Sequence, residues 1–305
     1  MARRKKGRKI DGWVIIDKPA GISSNAVVNK VRWVLDAKKA GHAGTLDPEA
    51  TGLLAIALGE ATKTVAWITD DLKAYDFRVR LGQATNTDDA EGEVIKTSDH
   101  RPDDGSIKEA LAAFIGDIEQ IPPAHSAVKI DGERAYSVAR RGEHVALSAR
   151  PLYVEQLSLV SRSGDDHVDL HLVCGKGGYV RSVARDLGEA LGCYGHVAWL
   201  RRIWSGPFSI DDHAAPFSTF ELDHKTDILD GHILPIETGL ENCPSVSLNA
   251  VQAKAIAHGN TVPLTQTSFD DGEEIWAEYE GLAVALGKYV GGQFEPSRVL
   301  NRDIS

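Results

Sequence analysis

Hydrophobic and polar positions along this chain recur with two periods, near two and near 3.6, and the switches between them mark out its elements. Gly12 to Asp17 reads as a strand running into the turn Lys18-Pro19-Ala20-Gly21. Ser23 or Ser24 then caps a helix whose apolar face is Val27, Val28, Val31, Val34 and Leu35. A polar loop leads into the apolar run Leu53 to Leu58, and Glu60 to Ile68 predicts a short helix. Tyr75, Phe77, Val79 and Leu81 alternate with Asp76, Arg78 and Arg80, the pattern of a half-buried strand. Thr85 to Gly92 is an acidic turn before a strand at Glu93 to Lys96, and Ile107, Leu111, Phe114, Ile115 and Ile118 form a helical stripe.

Pro122-Pro123 opens a polar, basic segment that passes through Tyr136 and Arg140-Arg141 to Arg150. Strands are expected at Leu152 to Ser161 and His167 to Cys174, then a helix from about Tyr179 to Leu191, stopped by Gly192. Strands outnumber helices and include hairpin-like neighbours, which favours a mixed α+β fold over a doubly wound parallel sheet. From Pro235 to Ser247 the periodicity lapses, and a domain boundary is placed there, with 1–240 before it and 241–305 after. The last stretch predicts a short helix, Ala250 to His258, and short strands at Glu274 to Glu278, Leu282 to Leu286 and Lys288 to Val290, the pattern of a small β-barrel-like module.

Composition narrows the class further. At 305 residues, 42% hydrophobic and 26% charged, the chain has the length of about two domains and the make-up of a soluble globular protein. Six of the first nine residues are Lys or Arg, but only Trp13-Val14-Ile15-Ile16 follows before Asp17, too short for a signal peptide. A cytoplasmic monomer without membrane contact is the expectation. Cys174, Cys193 and Cys243 are scattered, with no Cys-x-x-Cys and no His at zinc spacing, so a reducing compartment is the default. Gly175-Lys176-Gly177-Gly178 is only a fragment of a phosphate loop, and a tight turn explains it as well. Neither a nucleotide cofactor nor a metal is called for.

The net charge of −10 weighs against a nucleic-acid partner if taken globally, but phosphate affinity follows local patches. Basic residues cluster at Arg3 to Lys9, Arg140-Arg141 and Arg201-Arg202, whereas Asp211 to Ser245 holds eight Asp or Glu and one Lys. That segregation keeps RNA among the candidate partners, although each basic pair taken singly also reads as a solvated face.

Candidate chemistry concentrates in the loop Gly41 to Gly52, which has three glycines, one proline and Asp47 at its centre. A lone carboxylate on a stiff loop suits chemistry in which one Asp works without a Cys, a Ser-His pair or a metal. Asp47-Pro48 is equally a good helix start, with Asp47 as N-cap and Pro48 at the first helical position.

The longer run GHAGTLDPEATGLLAIALGEATK, Gly41 to Lys63, closely resembles the signature of the TruB family of tRNA pseudouridine-55 synthases, whose catalytic Asp occupies the place of Asp47. The resemblance extends over nearly the whole chain. Lys18-Pro19-Ala20-Gly21-Ile22-Ser23-Ser24-Asn25 looks like the family's first motif, which supports the active-site loop. Lys73-Ala74-Tyr75 is similar to the strand motif whose Tyr packs on the target base. Gly175 to Gly188 resembles the motif whose Arg, here Arg181, pairs with the catalytic Asp, and Val197 to Arg202 matches a core motif in which Leu200 lines the pocket. Pro122-Pro123-Ala124-His125-Ser126-Ala127 departs from the commoner pattern of a larger residue and an aromatic before Ser-Ala, leaving the imidazole of His125 as the planar group at that point.

The resemblance implies a pseudouridine-synthase-type mixed, mainly antiparallel sheet flanked by helices over 1–240, with a segment clamping the tRNA T-arm at about 122–150. A PUA-like RNA-binding β-barrel follows over 241–305. It also implies isomerisation of one uridine without a cofactor, at position 55 of the T-loop: the N1–C1′ bond breaks, the uracil turns, and C5 bonds to C1′. An ionised Asp47 meets the electron-poor carbon or an equivalent centre, and Arg181 aims it. Tyr75 stacks on the base and takes part in removing the C5 proton, and His42 takes the place of the extruded nucleotide. Lys18, Gly44, Thr45, His125, Tyr179 and Leu200 complete the substrate-contacting set. An additional tRNA-folding role is compatible with the same residues. Two other classes compete: a tRNA-folding module with a degenerate pocket, and a nucleoside hydrolase needing a second acid such as Glu49 or Glu60.

Overall fold

Strand β1 (Gly12–Lys18) is apolar on both faces, and a separate core forms on each. The computed structural model describes residues 7–126, 128–130, 132–141, 143, 147–265 and 268–302. Arg3 to Lys6 of the basic N-terminal cluster, residues 127, 131, 142 and 144–146 of the segment 122–150, and the Arg140 side chain lie outside what is described. The chain divides into two compact units: Met1–Pro48, Leu53–Thr69 and Ser205–Ser305 form one, and Glu49–Gly52 with Asp70–Trp204 the other.

In the first unit, helix α1 (Ser24–Val34) is followed by β2 (Ala40–Ala43), by β3 (Thr51–Leu58) from Leu53 onward and, after a 3-10 turn at Gly59–Lys63, by the short α2 (Val65–Asp70) up to Thr69. Ser23 caps α1 by accepting from the Ala26 amide. Val14 and Ile16 of β1 and Leu54, Ile56 and Leu58 of β3 bury against Val27, Val31 and Val34 of α1. The alternate residues, Trp13 and Ile15 with Leu53, Ala55 and Ala57, bury on the other face against Trp276, Leu286 and Leu300. Strands covered on both sides read as continuous apolar runs rather than alternating ones. Each fully buried branched aliphatic contributes about 1.5–3 kcal/mol.

Further along the chain this unit contains β13 (Phe208–Ser209), α6 (Ile210–His213) and β14 (Ala215–Pro216), the last pairing in parallel with β1. β15 (Ser245–Ser247), α7 (Ala250–Ala257), β16 (Val262–Pro263), β17 (Glu274–Tyr279), β18 (Leu282–Val290) and β19 (Gln293–Val299) follow. These five strands form a curled half-barrel in the order β15-β17-β18-β19-β16, with Ala253 and Ile256 of α7 against Ile275, Val284 and Phe294. Leu282 to Val290, expected as two strands, is one strand with a register shift opposite β19 between Leu286 and Gly287.

The second unit contains β4 (Lys73–Leu81), β5 (Gln83–Thr85), β6 (Val94–Thr97), α3 (Asp104–Ala112) and β7 (Gly116–Gln120). A two-residue ladder of β8 (Lys129–Ile130) with β9 (Glu133–Arg134) precedes α4 (Ala135–Arg140), β10 (Arg150–Ser163), β11 (His167–Cys174), α5 (Val180–Ala190) and β12 (Gly195–Ser205). Its sheet runs β12-β4-β11-β10-β7, with β4, β11, β10 and β7 successively antiparallel. Tyr75, Phe77, Val79 and Leu81 bury with Ile107 and Leu111 of α3 and Val183 and Leu187 of α5. On the other face Arg78 forms a two-pronged pair with Asp169 at 2.7 and 2.9 Å, directly opposite it in register. His171 and Asp76, the next pair on that face, meet at 2.7 Å. Such cross-strand pairs fix the register of β4 on β11. The stripe expected to continue the helix to Ile118 ends instead at Ala112, because Ile118 joins the ladder to β10 opposite Leu152.

Thr51 and Gly52 pair in parallel with Arg201 and Arg202. Gly52 has φ of +96°, and a Cβ there would lie 2.2 Å from the Arg202 carbonyl oxygen. Gly52→Ala is therefore expected to destabilise the protein by about 2–4 kcal/mol, the sum of a left-handed backbone and a forced displacement. A lowered urea midpoint checks this, and an unchanged midpoint contradicts the close approach.

Candidate active site

Asp47-Pro48 does not open a helix. Residues 44–50 are a loop between β2 and β3, and both neighbours of Asp47 are tied down. Ser24, the serine left over once Ser23 has capped α1, donates from Oγ to the Leu46 carbonyl at 2.8 Å and accepts from the Leu46 amide at 2.9 Å. On the other side, the Pro48 carbonyl accepts from the Gly21 amide at 3.0 Å and from Lys18 Nζ at 2.8 Å. Lys18 is fully buried, and its ammonium also donates to the carbonyls of Pro19 at 2.9 Å and Ile22 at 2.8 Å. Lys18 thus holds the turn after β1 and the Asp47 loop on one cation. Gly44 enters the loop with φ of +88°, a conformation that residues other than glycine rarely adopt. His42 is half-buried on β2 opposite Ile56, Thr45 is exposed, and Asp47 is half-buried.

The remaining site candidates belong to the second unit. Tyr75 lies 7% exposed in its core, and Leu200 of β12 packs against the same cluster. Arg181 sits in the first turn of α5, 6% exposed. Its Nη1 donates to the Thr87 carbonyl at 3.1 Å and lies 3.4 Å from the Asp89 carboxylate, and its Nη2 donates to the His125 carbonyl at 3.1 Å. Tyr179 occupies the N-cap position of α5, with its amide and carbonyl both bonded to the Gln120 side chain, at 2.8 and 3.1 Å. His125 thus meets Arg181 through its backbone.

Asp89 and Gln120 were not singled out in the sequence, and Ser24 was named only as an alternative cap and as part of the first motif. The available signals were the acidic turn Thr85 to Gly92, which supplies Asp89, and the doubled serine at the head of α1. Glu60, the nominated second acid, is bonded to Lys63 and to the Asn301 amide, each at 2.7 Å. Burial pushes its pKa up, but these donors outweigh it and hold the carboxyl below the usual range, ionised and unsuited to donate a proton. Glu49 is exposed in the loop. Among the described residues no group of three or more His, Cys, Asp or Glu is arranged to hold a metal. Among them, too, no helix is long and apolar enough to cross a membrane.

A family model for the TruB family pseudouridylate synthase N-terminal domain matches residues 32–180, and one for the tRNA pseudouridylate synthase B C-terminal domain matches 181–241. A tRNA pseudouridine synthase B of Roseobacter denitrificans is 61% identical over 301 residues, 99% of either chain. This chain belongs to the TruB family. TruB membership makes it an isomerase acting on tRNA, a pseudouridine synthase. The Ruegeria pomeroyi protein of the same description is 60% identical over 302 residues, again 99% of either chain. Among solved structures, a chain from the crystal structure of a Cbf5-Nop10-Gar1 complex matches with a TM-score of 0.74 at 26% identity, over 95% of this chain and 84% of that one. A chain of an H/ACA RNP bound to a substrate RNA containing 2′-deoxyuridine shares the fold, with a TM-score of 0.74 at 22% identity over 99% and 92%.

Lys73, two residues before Tyr75, is 6% exposed and donates to the Asp71 carbonyl at 2.7 Å. Burial, reinforced by the positive charge of Arg202, lowers its pKa to about 8. The unfolded chain holds that proton up to about 10.4, so from about 8 to 10.4 it binds more protons there and this residue makes stability rise with pH. Trace acetylation at graded pH, mapped by mass spectrometry, is expected to give Lys73 a midpoint near 8. A midpoint at the ordinary value of about 10.4 contradicts the burial argument.

Proposed function

We propose that this protein converts the uridine at position 55 in the T-loop of tRNA to pseudouridine, with Asp47 as the catalytic carboxylate. The observation that carries the reading is the pinning of Leu46 and Pro48 on either side of Asp47, which fixes the backbone while leaving the side chain half-buried at a loop. Preorganisation of this kind is what stabilisation of a developing charge requires. Bond breakage at N1–C1′ leaves C1′ electron-poor, the uracil turns, and C5 takes the place of N1. Asp47 serves this exchange at C1′, at C6 or at the 2′ proton, and each route needs the same ionised carboxylate.

In this reading Arg181 pairs with Asp47 and orients it. Tyr75 stacks on the flipped uracil and assists loss of the C5 proton, with Leu200 lining the pocket. His42 fills the place that the extruded nucleotide vacates, which offsets a few kcal/mol of lost stacking. The segment at about 122–150, with His125, clamps the T-arm. Gly44, Thr45 and Tyr179 contact the RNA backbone, and Lys18 acts by holding the loop. Residues 241–305 act as a PUA-like RNA-binding module, and the enzyme works as a cytoplasmic monomer without a cofactor.

Asp47→Asn is expected to lower pseudouridine formation on an unmodified tRNA transcript by roughly 10⁴-fold or more, while tRNA affinity stays within a few-fold. Mapping pseudouridine in tRNA from cells with and without the gene identifies the position. Full activity in Asp47→Asn sinks the catalytic assignment, and loss at another position sinks the T-loop assignment. Binding retained by the inactive variant also isolates any tRNA-folding role.

A further inference from the structure

Arg181 is not held by α5 alone. Arg185, one helical turn on, grips the same two loops from which Arg181 takes its acceptors. Arg185 Nη1 donates to Asp88 Oδ2 at 3.1 Å, Nη2 to the Ile121 carbonyl at 2.8 Å, and Nε to Asp186 at 2.8 Å. Asp88 lies next to Thr87, and Ile121 opens the segment that reaches His125. Thr87 and His125 are the two residues whose carbonyls receive Arg181. Ser182 Oγ adds a second bond to the Ile121 carbonyl at 2.8 Å.

Asp88 is built for this contact. Its φ is +61°, a left-handed backbone that is uncommon for any residue with a side chain. Its carboxylate side chain is 14% exposed. Its own carbonyl accepts from the Val197 amide at 3.0 Å, which fastens the turn to β12. The rest of the turn is crosslinked through Asp89: Thr85 Oγ1 bonds its carbonyl at 2.7 Å, and Thr87 Oγ1 bonds its carboxylate at 2.5 Å. Burial raises the Asp88 pKa, and the Arg185 charge and hydrogen bond, helped by the Arg181 charge, oppose that rise, so without Arg185 a buried carboxylate would lose its hydrogen-bonded ion pair.

The geometry points to Asp88 and Arg185 as a positioning pair, a brace that sets where Thr87, Asp89 and His125 stand and thereby aims the Arg181 guanidinium. Neither residue is a catalytic group. Their role, though not their geometry, rests on the reading of Arg181 given above. A displacement of about 1 Å in an aligned group costs on the order of 100-fold in rate.

Single-turnover kinetics on a tRNA transcript test the pair. Arg185→Met and Asp88→Ala are each expected to lower the rate constant by about 10–100-fold, with tRNA affinity within about threefold of the wild type. Asp88→Asn, whose amide oxygen accepts from Arg185 and whose backbone tolerates the left-handed region, is expected to keep the rate within about threefold. In an Arg181→Lys background Arg185→Met is expected to cause no further loss, which a general loss of stability would not reproduce. An undiminished rate in Arg185→Met, or the same loss in both backgrounds, overturns the proposal. Should Arg185→Met fail to fold, Asp88→Ala against Asp88→Asn decides, and equal rates in those two overturn it. A wild-type protein that makes no pseudouridine sinks only the functional reading. The crystal structure of Arg185→Met, or of Asp88→Ala should Arg185→Met not fold, then decides by itself: Arg181 still seated on the Thr87 and His125 carbonyls overturns the brace, and a displaced guanidinium supports it.

Discussion

An ammonium buried among main-chain carbonyls at the end of β1 is the contact on which the Asp47 loop depends. Removing a lysine from water is costly unless its donors are satisfied, and here the carbonyls of Pro19, Ile22 and Pro48 receive Lys18 at 2.8–2.9 Å. β1 is packed on both faces, so the strand that carries this cation has little freedom to shift. The rigidity of the core thus passes through one side chain to the residue after Asp47, and Ser24, rooted in α1, does the same for the residue before it. Precision in the loop is borrowed from hydrophobic packing.

Nearly buried guanidinium groups need partners for the same reason, and the second unit supplies them largely from backbone. Arg181 takes two carbonyls and the Asp89 carboxylate. A planar fork suits this distribution of acceptors in a way an ammonium does not. The overall charge of −10 is consistent with this arrangement, since part of the acidity, at Asp88, Asp89 and Asp186, lies against α5 arginines rather than facing an RNA partner.

Much of this was legible before any coordinates. The alternation from Tyr75 to Leu81 locates β4, the Val27 to Leu35 spacing locates α1, and the excess of strands gives the α+β class. The family resemblance supplied Asp47, Tyr75 and Arg181 as candidates and the activity class. β2, β12 and β19 escaped notice because pairing, not periodicity, makes them strands. His42 faces Ile56 in a four-residue β2, and Trp199 and Arg201 break the apolar alternation of β12. Asp88 and Asp89 read only as an acidic turn because their partners, Arg185 and Arg181, lie far along the chain. Ser24 was hidden behind its neighbour: a doubled serine announces one cap and says nothing of what the second hydroxyl does. Asp47-Pro48 has the local form of a helix start, yet the tethers at Leu46 and Pro48 and the entry into β3 override that propensity.

The two-sided packing of β1 has a consequence for how the polypeptide is made. Trp13 and Ile15 leave the ribosome well before Trp276, Leu286 and Leu300, which complete the face they need. The core around Tyr75, Phe77 and Leu187 is drawn from one uninterrupted middle stretch and closes without either terminus. Vectorial synthesis therefore finishes the middle of this enzyme while its first strand is still half uncovered. A chain truncated shortly before Trp276 would carry an intact central core and an open wound beside Trp13, a ready target for quality-control proteases.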